Sequence, residues 1–215
     1  MAVSMEQLKE LRDATGVSIT ACKKALEEAN GDYEMAVDIL RKKGEAKAAD
    51  NAGRSTGEGA VGVYSEGGKI AMVKVACETD FVAKSDDFSA LLVGIAKKVM
   101  SGEVNEGNKD DLAEIKDAVL KLGENLKVED MAVLEGSSVG GYVHSNKKIG
   151  VIVALEGGNE ELAKDVAAFA NASGGVKGIT APSESVAGLG LASMVNQLVL
   201  RPRKAYKPGE AWTDT

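Results

Sequence analysis

The sequence predicts an α+β protein: an N-terminal three-helix bundle, then a core of two duplicated α+β subdomains with antiparallel sheets. Three observations predict it. Apolar residues recur at helical spacing in three runs through residues 1–50, each run ended by glycine. A strand–turn–strand pattern then occurs twice, as Val61-Gly62-Val63-Tyr64 with Lys69-Ile70-Ala71-Met72-Val73 and as Val139-Gly140-Gly141-Tyr142 with Lys148-Ile149-Gly150-Val151-Ile152. A helical run follows each copy. The matched glycine, tyrosine and Lys-Ile positions favour duplication over chance, with offsets of 78 residues for the first strand and 79 for the second.

In the bundle, Ser4 is placed to cap a first helix in which Met5, Leu8 and Leu11 form the apolar stripe, and Thr15-Gly16 stops it. A second run from Ile19 to Ala29 gathers Cys22, Ala25, Leu26 and Ala29 on one face before Asn30-Gly31. Asp32 caps a third helix carrying Ala36, Val37 and Leu40, closed by Lys42, Lys43 and Gly44. The Ala-, Gly- and polar-rich stretch Glu45–Gly59 reads as a linker. Each hairpin turns through polar residues, Ser65–Gly68 and Ser145–Lys147. The helix after the first spans Asp87–Met100 with Phe88, Leu91, Leu92, Ile95 and Val99; its counterpart spans Glu160–Ala170 with Leu162, Val166 and Phe169. Between the copies lie an acidic insert, Gly102–Asp117, a short run Ala118–Leu122, and the turn Gly123-Glu124-Asn125. Residues 80–135 hold 13 acids against 7 bases, nearly the whole net charge, which fits a solvated helical face or a surface that steers a partner. The resulting division is 1–50 bundle, 51–59 linker, 60–136 first core subdomain, 137–200 a shortened second one, and 201–215 a basic, flexible tail.

Composition narrows the chemistry. The 215 residues are 44% hydrophobic and 27% charged, which suits a packed core and argues against disorder. There is one histidine, so a multi-histidine metal site is excluded and any Ser-His-Asp hydrolase would rest entirely on His144. A net charge of −7 disfavours a phosphate-backbone footprint, hence direct nucleic-acid binding. Two cysteines, Cys22 and Cys77, fit a reducing compartment. With no secretory h-region and no long apolar run, a cytoplasmic chain without membrane contact is expected. Glycine, at 25 residues, fits tight turns between short elements.

Gly57-Glu58-Gly59-Ala60-Val61-Gly62 spells G-x-G-x-x-G, but it follows a linker and precedes a strand. A dinucleotide site needs a strand before the glycines and a helix N-terminus after them. The stretch Cys77 to Phe88 carries more. A strand ends at Cys77 and a helix is capped at Ser85 or Asp86, so Phe81 falls in the connecting turn, flanked by Asp80 and Lys84. An aromatic there either inserts into a partner's pocket or folds back on its own helix; the residues leave both open. Glu78, Asp80, Asp86 and Asp87 have neither the spacing of an EF-hand loop nor a nucleophile beside them, so no metal, cofactor or catalytic residue is expected.

Thr79-Asp80-Phe81-Val82-Ala83-Lys84 after a Cys-Glu strand end resembles the hallmark of the translation elongation factor Ts family. The resemblance continues through Leu8–Gly16, Cys22–Leu26, Leu122-Gly123-Glu124-Asn125, Ala132–Gly136, and Gly141-Tyr142-Val143-His144 into Ile149–Val153, covering residues 1 to about 172. It implies a guanine-nucleotide exchange factor, not an enzyme, that binds GDP-bound and nucleotide-free elongation factor Tu. By the same resemblance the bundle is ubiquitin-associated-like and docks on Tu. Thr79, Asp80, Phe81 and Val82 intrude near its nucleotide site and dislodge Mg²⁺, while Leu122, Gly123 and His144 match further Tu contacts. A homodimer is left open. Beyond residue 172 the family's closing-strand pattern is missing, Gln197–Pro202 matches only weakly a downstream family segment, and Trp212 lies near the end of a tail holding four basic and two acidic residues. The competing reading is a ubiquitin-associated-like adaptor whose partner is not Tu.

Overall fold

The computed structural model describes residues 3–172 and the backbone of 195–201. Three helices open the chain: α1 (Met5–Thr15), α2 (Ile19–Glu28) and α3 (Tyr33–Asn51). The caps at Ser4 and Asp32 are those expected, and Ser18 caps α2 likewise: each accepts a backbone N–H of the first turn through the side-chain oxygen, and Gly16 closes α1 at φ 65°. Leu8, Leu11, Cys22, Ala25, Leu26, Ala36 and Leu40 make the bundle's core. Met5, expected in that stripe, is 78% exposed instead. The third helix also runs past Gly44. Glu45–Asp50 is dominated by Ala, Lys and Glu, strong helix formers, and Gly44 is buried where a Cβ would stand 2.9 Å from the Lys116 carbonyl oxygen. The segment read as the start of a linker is thus two more helical turns that join bundle to core.

The core is built from β1 (Glu58–Glu66), β2 (Lys69–Cys77), α4 (Asp80–Lys84), α5 (Asp86–Ser101), α6 (Ala113–Leu122), β3 (Lys127–Glu135), β4 (Ser138–Val143), β5 (Gly150–Leu155), α7 (Glu160–Ala172) and β6 (Val195–Arg201). Two antiparallel three-stranded sheets result, ordered β1-β2-β3 and β4-β5-β6. They stack in four layers. Ala71, Val73, Val75 and Cys77 of the first sheet face α5 and α6, packing with Phe88, Leu92, Ile95 and Val119. Val61, Ile70, Met72 and Leu134 turn the other way, onto Val139, Ile152 and Ala154 of the second sheet. The far face of that sheet, Val151, Val153 and Leu155, meets Ala163, Val166, Ala167 and Ala170 of α7. The middle strands β2 and β5 are covered on both faces, which is why their sequences read as nearly unbroken apolar runs.

The duplication holds, with one correction to its register. Gly62 pairs with Val73 and Gly140 with Val153, so the second strands correspond at an offset of 80, not 79. The difference of one residue matters because it would exchange the two faces of β5. The cause is the turn: Gly67 and Gly68, at φ 58° and 76°, close the first hairpin in two residues, whereas residues 144–149 form a longer loop in the second. Gly62 and Gly140 play the same part in both halves. A Cβ on Gly62 would stand 2.5 Å from the Leu92 Cβ, and one on Gly140 would stand 2.3 Å from the Ala163 carbonyl carbon. Such close approach requires small residues on α7, so Ala163, Ala167 and Ala170 face the sheet, and Phe169, expected inward, is 43% exposed. Strand β3 was not legible as one, since Glu129 and Asp130 interrupt its apolar pattern. Residues 195–201, without the family's closing pattern, nevertheless pair with β5 as β6. Trp212 and the rest of the tail lie outside the described residues.

Candidate partner-binding site

Thr79 to Val82 sits where β2 leaves the sheet. Thr79 takes extended backbone (φ −124°, ψ 155°), and its Oγ1 accepts the Val82 N–H at 3.4 Å, so the segment is not the irregular turn expected but the cap and first turn of α4. Ser85 ends α4 and caps α5 by accepting the Phe88 N–H, and its own hydroxyl donates to the Val82 carbonyl at 2.8 Å. Ala83 is buried, and Val82 packs partly against the core. Phe81, between two pinned ends, is 84% exposed, the most exposed large apolar side chain among the described residues. The fold-back alternative is therefore not what the structure shows.

A single carboxylate fixes this segment from outside. Glu124 Oε2 accepts the backbone N–H groups of Glu78 and Thr79, both at 3.0 Å, and Oε1 accepts the Thr79 hydroxyl at 2.5 Å. The exchange is reciprocal: Glu78 Oε1 accepts the Asn125 N–H at 2.7 Å and Arg54 Nη1 at 3.3 Å. Asn125 Nδ2 in turn donates to the Arg54 carbonyl at 2.9 Å, and Asn51 Nδ2 to the Gly123 carbonyl at 3.4 Å. Gly123, at φ 79°, closes α6 and turns the chain toward Glu124. Leu122 packs partly into the first-sheet core while Gly123 is exposed. The structure thus brings Thr79–Val82 together with the 122–125 turn.

His144 opens the β4–β5 loop. Its N–H donates to the Ile149 carbonyl at 2.9 Å, and its Nδ1 accepts the Asn146 N–H at 3.3 Å. The loop is strapped to the first subdomain: the Val61 N–H donates to the Lys147 carbonyl at 2.8 Å, Lys147 Nζ to Ser89 Oγ at 2.9 Å, and Lys148 pairs with Glu58 at 2.7 Å. A cleft of about 200 Å³ separates this loop from α4, lined by Glu58, Asp80, Lys84, Asn146 and Lys148 among others. Both loops flanking Phe81 accordingly belong to one corner of the molecule.

The electrostatics of that corner are largely self-cancelling. Lys84 Nζ lies 2.6 Å from Asp80 Oδ2, holding the Asp80 carboxyl below its ordinary value and the Lys84 ammonium above its own. The Asn125 N–H, then Arg54, hold the Glu78 carboxyl down. Burial, followed by the charges of Glu124 and Glu58, pushes the Cys77 thiol up to about 11, so it is a packed thiol and not a nucleophile near neutral pH. Gly57–Gly62 runs into β1 with no helix behind it, which removes the setting a dinucleotide would need. Among the described residues no group of three or more His, Cys, Asp or Glu is placed to hold a metal ion.

The family model of Elongation factor TS matches residues 78–175, a span that begins at Glu78 and takes in Phe81, Glu124 and His144. Most of the chain is similar in sequence to elongation factor Ts proteins. It is 45% identical over 179 residues to elongation factor Ts of Ruegeria sp. (strain TM1040), covering 78% of this chain and 62% of that protein. Elongation factor Ts of Psychrobacter sp. (strain PRwf-1) is 41% identical over 77% of the chain and 60% of its own length, and that of Acinetobacter baylyi 42% over 78% and 62%. The matches thus take in about three fifths of the length of these relatives. Within the elongation factor Ts resemblance, the residues missed as site components were Glu78, Glu124, Asn125 and Arg54. The available signal was an acid directly after a helix-closing glycine; its three hydrogen-bond donors lie 45 or 46 residues away and leave no local pattern.

Proposed function

We propose that this protein is a non-enzymatic guanine-nucleotide exchange factor for elongation factor Tu, acting in the cytoplasm during translation elongation. The observation that carries the reading is Phe81, 84% exposed on a helical turn that is hydrogen-bonded at both ends. A rigidly presented apolar group costs little entropy to insert into a partner. Thr79–Val82 is assigned to enter near the nucleotide site and displace the Mg²⁺ of the GDP complex, with Leu122, Gly123 and His144 as flanking contacts.

Exchange requires no bond chemistry. A protein that binds empty Tu better than GDP-bound Tu weakens GDP by the same factor through linkage. A thousandfold weakening needs about 4 kcal/mol of differential binding. Burying the exposed part of Phe81 supplies about 1.3–2.5 kcal/mol. The remainder must come from the flanking loops and from the bundle, which α3 fixes to the core through α6. Asp80, already neutralised by Lys84, presents a paired carboxylate and not a free one. The test is release of a fluorescent GDP analogue from Tu on addition of the chain: acceleration supports the proposal, and no acceleration with no complex on gel filtration refutes it.

A further inference from the structure

We propose that Glu124 is a positioning residue: its carboxylate sets the conformation in which Thr79–Val82 is presented, without itself touching the partner's nucleotide. This inference rests on the exchange reading above and deepens it.

The Thr79 hydroxyl has one proton and serves two neighbours. To cap α4 it has to accept the Val82 N–H, which leaves its proton to be donated elsewhere. Glu124 Oε1, an acceptor only, accepts the hydrogen bond that this hydroxyl donates, at an O···O distance of 2.5 Å, and so locks the hydroxyl in its capping orientation. Oε2 takes the Glu78 and Thr79 N–H groups at 3.0 Å, two donors that the end of β2 would otherwise leave without a strand partner. Three bonds to one charged group converge on the two residues preceding Asp80 and Phe81. Glu124 is held in place by the αL turn at Gly123 and by the Asn125 N–H bonded to Glu78. A five-residue helix has no stability of its own, so the exposed placement of Phe81 depends on this clamp at the N-terminal end of α4 together with the Ser85 hydroxyl on the Val82 carbonyl at the other.

Glutamine at 124 separates the clamp from simple packing. Its carbonyl oxygen can still accept the two backbone N–H groups, but its amide presents a donor where Thr79 Oγ1 needs an acceptor, so the hydroxyl proton loses the partner that fixes the capping orientation. In the full chain, hydrogen exchange at the Val82 and Ala83 amides is expected to speed up roughly tenfold or more in Glu124→Ala, the order for losing bonds to a charged acceptor, and by less in Glu124→Gln. Amides of β2 and α5 should stay at their wild-type rates. GDP release from Tu should slow in the same rank order, wild type fastest, then Gln, then Ala.

Unchanged Val82 and Ala83 exchange in Glu124→Ala overturns the clamp. So does acceleration spread evenly through β2 and α5 with glutamine no better than alanine, which marks a residue of general stability. Local loosening with undiminished GDP release overturns the functional role of the clamp while leaving the exchange function standing. A wild-type chain that fails to release GDP refutes the exchange reading itself, and the amide measurement then still decides whether Glu124 holds the segment.

Discussion

Replacing Phe81 with alanine separates folding from function cleanly. The side chain is 84% exposed in the free protein, so removing it leaves no cavity and the melting temperature should hardly move, as for other surface substitutions at about ±0.5 kcal/mol. Thr79, Val82 and Ser85 keep their bonds, because none involves the ring. What is lost is the area that only docking buries: fully burying a phenylalanine is worth roughly 1.5–3 kcal/mol, and the exposed fraction leaves about 1.3–2.5 kcal/mol to gain. If that gain is made only with the nucleotide leaving, the release rate falls by roughly 10- to 70-fold, while binding to nucleotide-free Tu through the remaining contacts persists. Stopped-flow release of fluorescent GDP, run beside pull-down of empty Tu, reads both quantities. An unchanged release rate would refute the wedge, and a lost fold would refute the claim that Phe81 carries no structural load.

Gly140→Ala should destabilise the protein by about 1–3 kcal/mol, and more than Gly62→Ala, because its added Cβ stands 2.3–2.6 Å from helix backbone whereas the helix backbone nearest Gly62 is 3.1 Å away; paired thermal melts check the order. Cys22 and Cys77 are both buried, so a thiol reagent near neutral pH should label neither until the chain unfolds, with labelling in native conditions refuting the packing of Cys77. The carboxyls of Glu78 and Asp80 are held below their ordinary values when folded, so they stabilise the native state above the unfolded value of about 4 and lose that contribution as pH falls through the lower folded values. A urea titration across the acid range should show stability declining there, and removing Arg54 or Lys84 should shrink the decline.

The bundle's helices, the two hairpins and the helices behind them were legible because each carries a local signal: a capping Ser or Asp, a glycine stop, an apolar stripe at period 3.6 or 2. So was the segment holding Phe81, since few residue strings look like Thr79–Lys84. Where the reading slipped, distance in sequence was the reason. The hairpin offset of 79 followed a Lys-Ile match, but register is set by turn length and by which face meets which layer, and the pairing of Gly140 with Val153 shows it to be 80. Phe169 looked like core until Gly140 brought the second sheet close to α7, where Ala163, Val166, Ala167 and Ala170 fill the space between. Gly44 looked like a stop until α6 supplied the surface it packs on.

Caps, turns and periodicity act over a few residues, so the bundle helices, the two hairpins and the unusual segment Thr79–Lys84 were readable locally, whereas β3, α4 and the last turns of α3 were not. How that segment is held depends on long-range packing. Glu124 and Thr79 are 45 residues apart, and nothing near either announces the other. Their carboxylate and hydroxyl meet because α6 ends on a left-handed glycine beside the end of β2, a coincidence of two chain reversals that the packing of α5 and α6 on the first sheet alone creates.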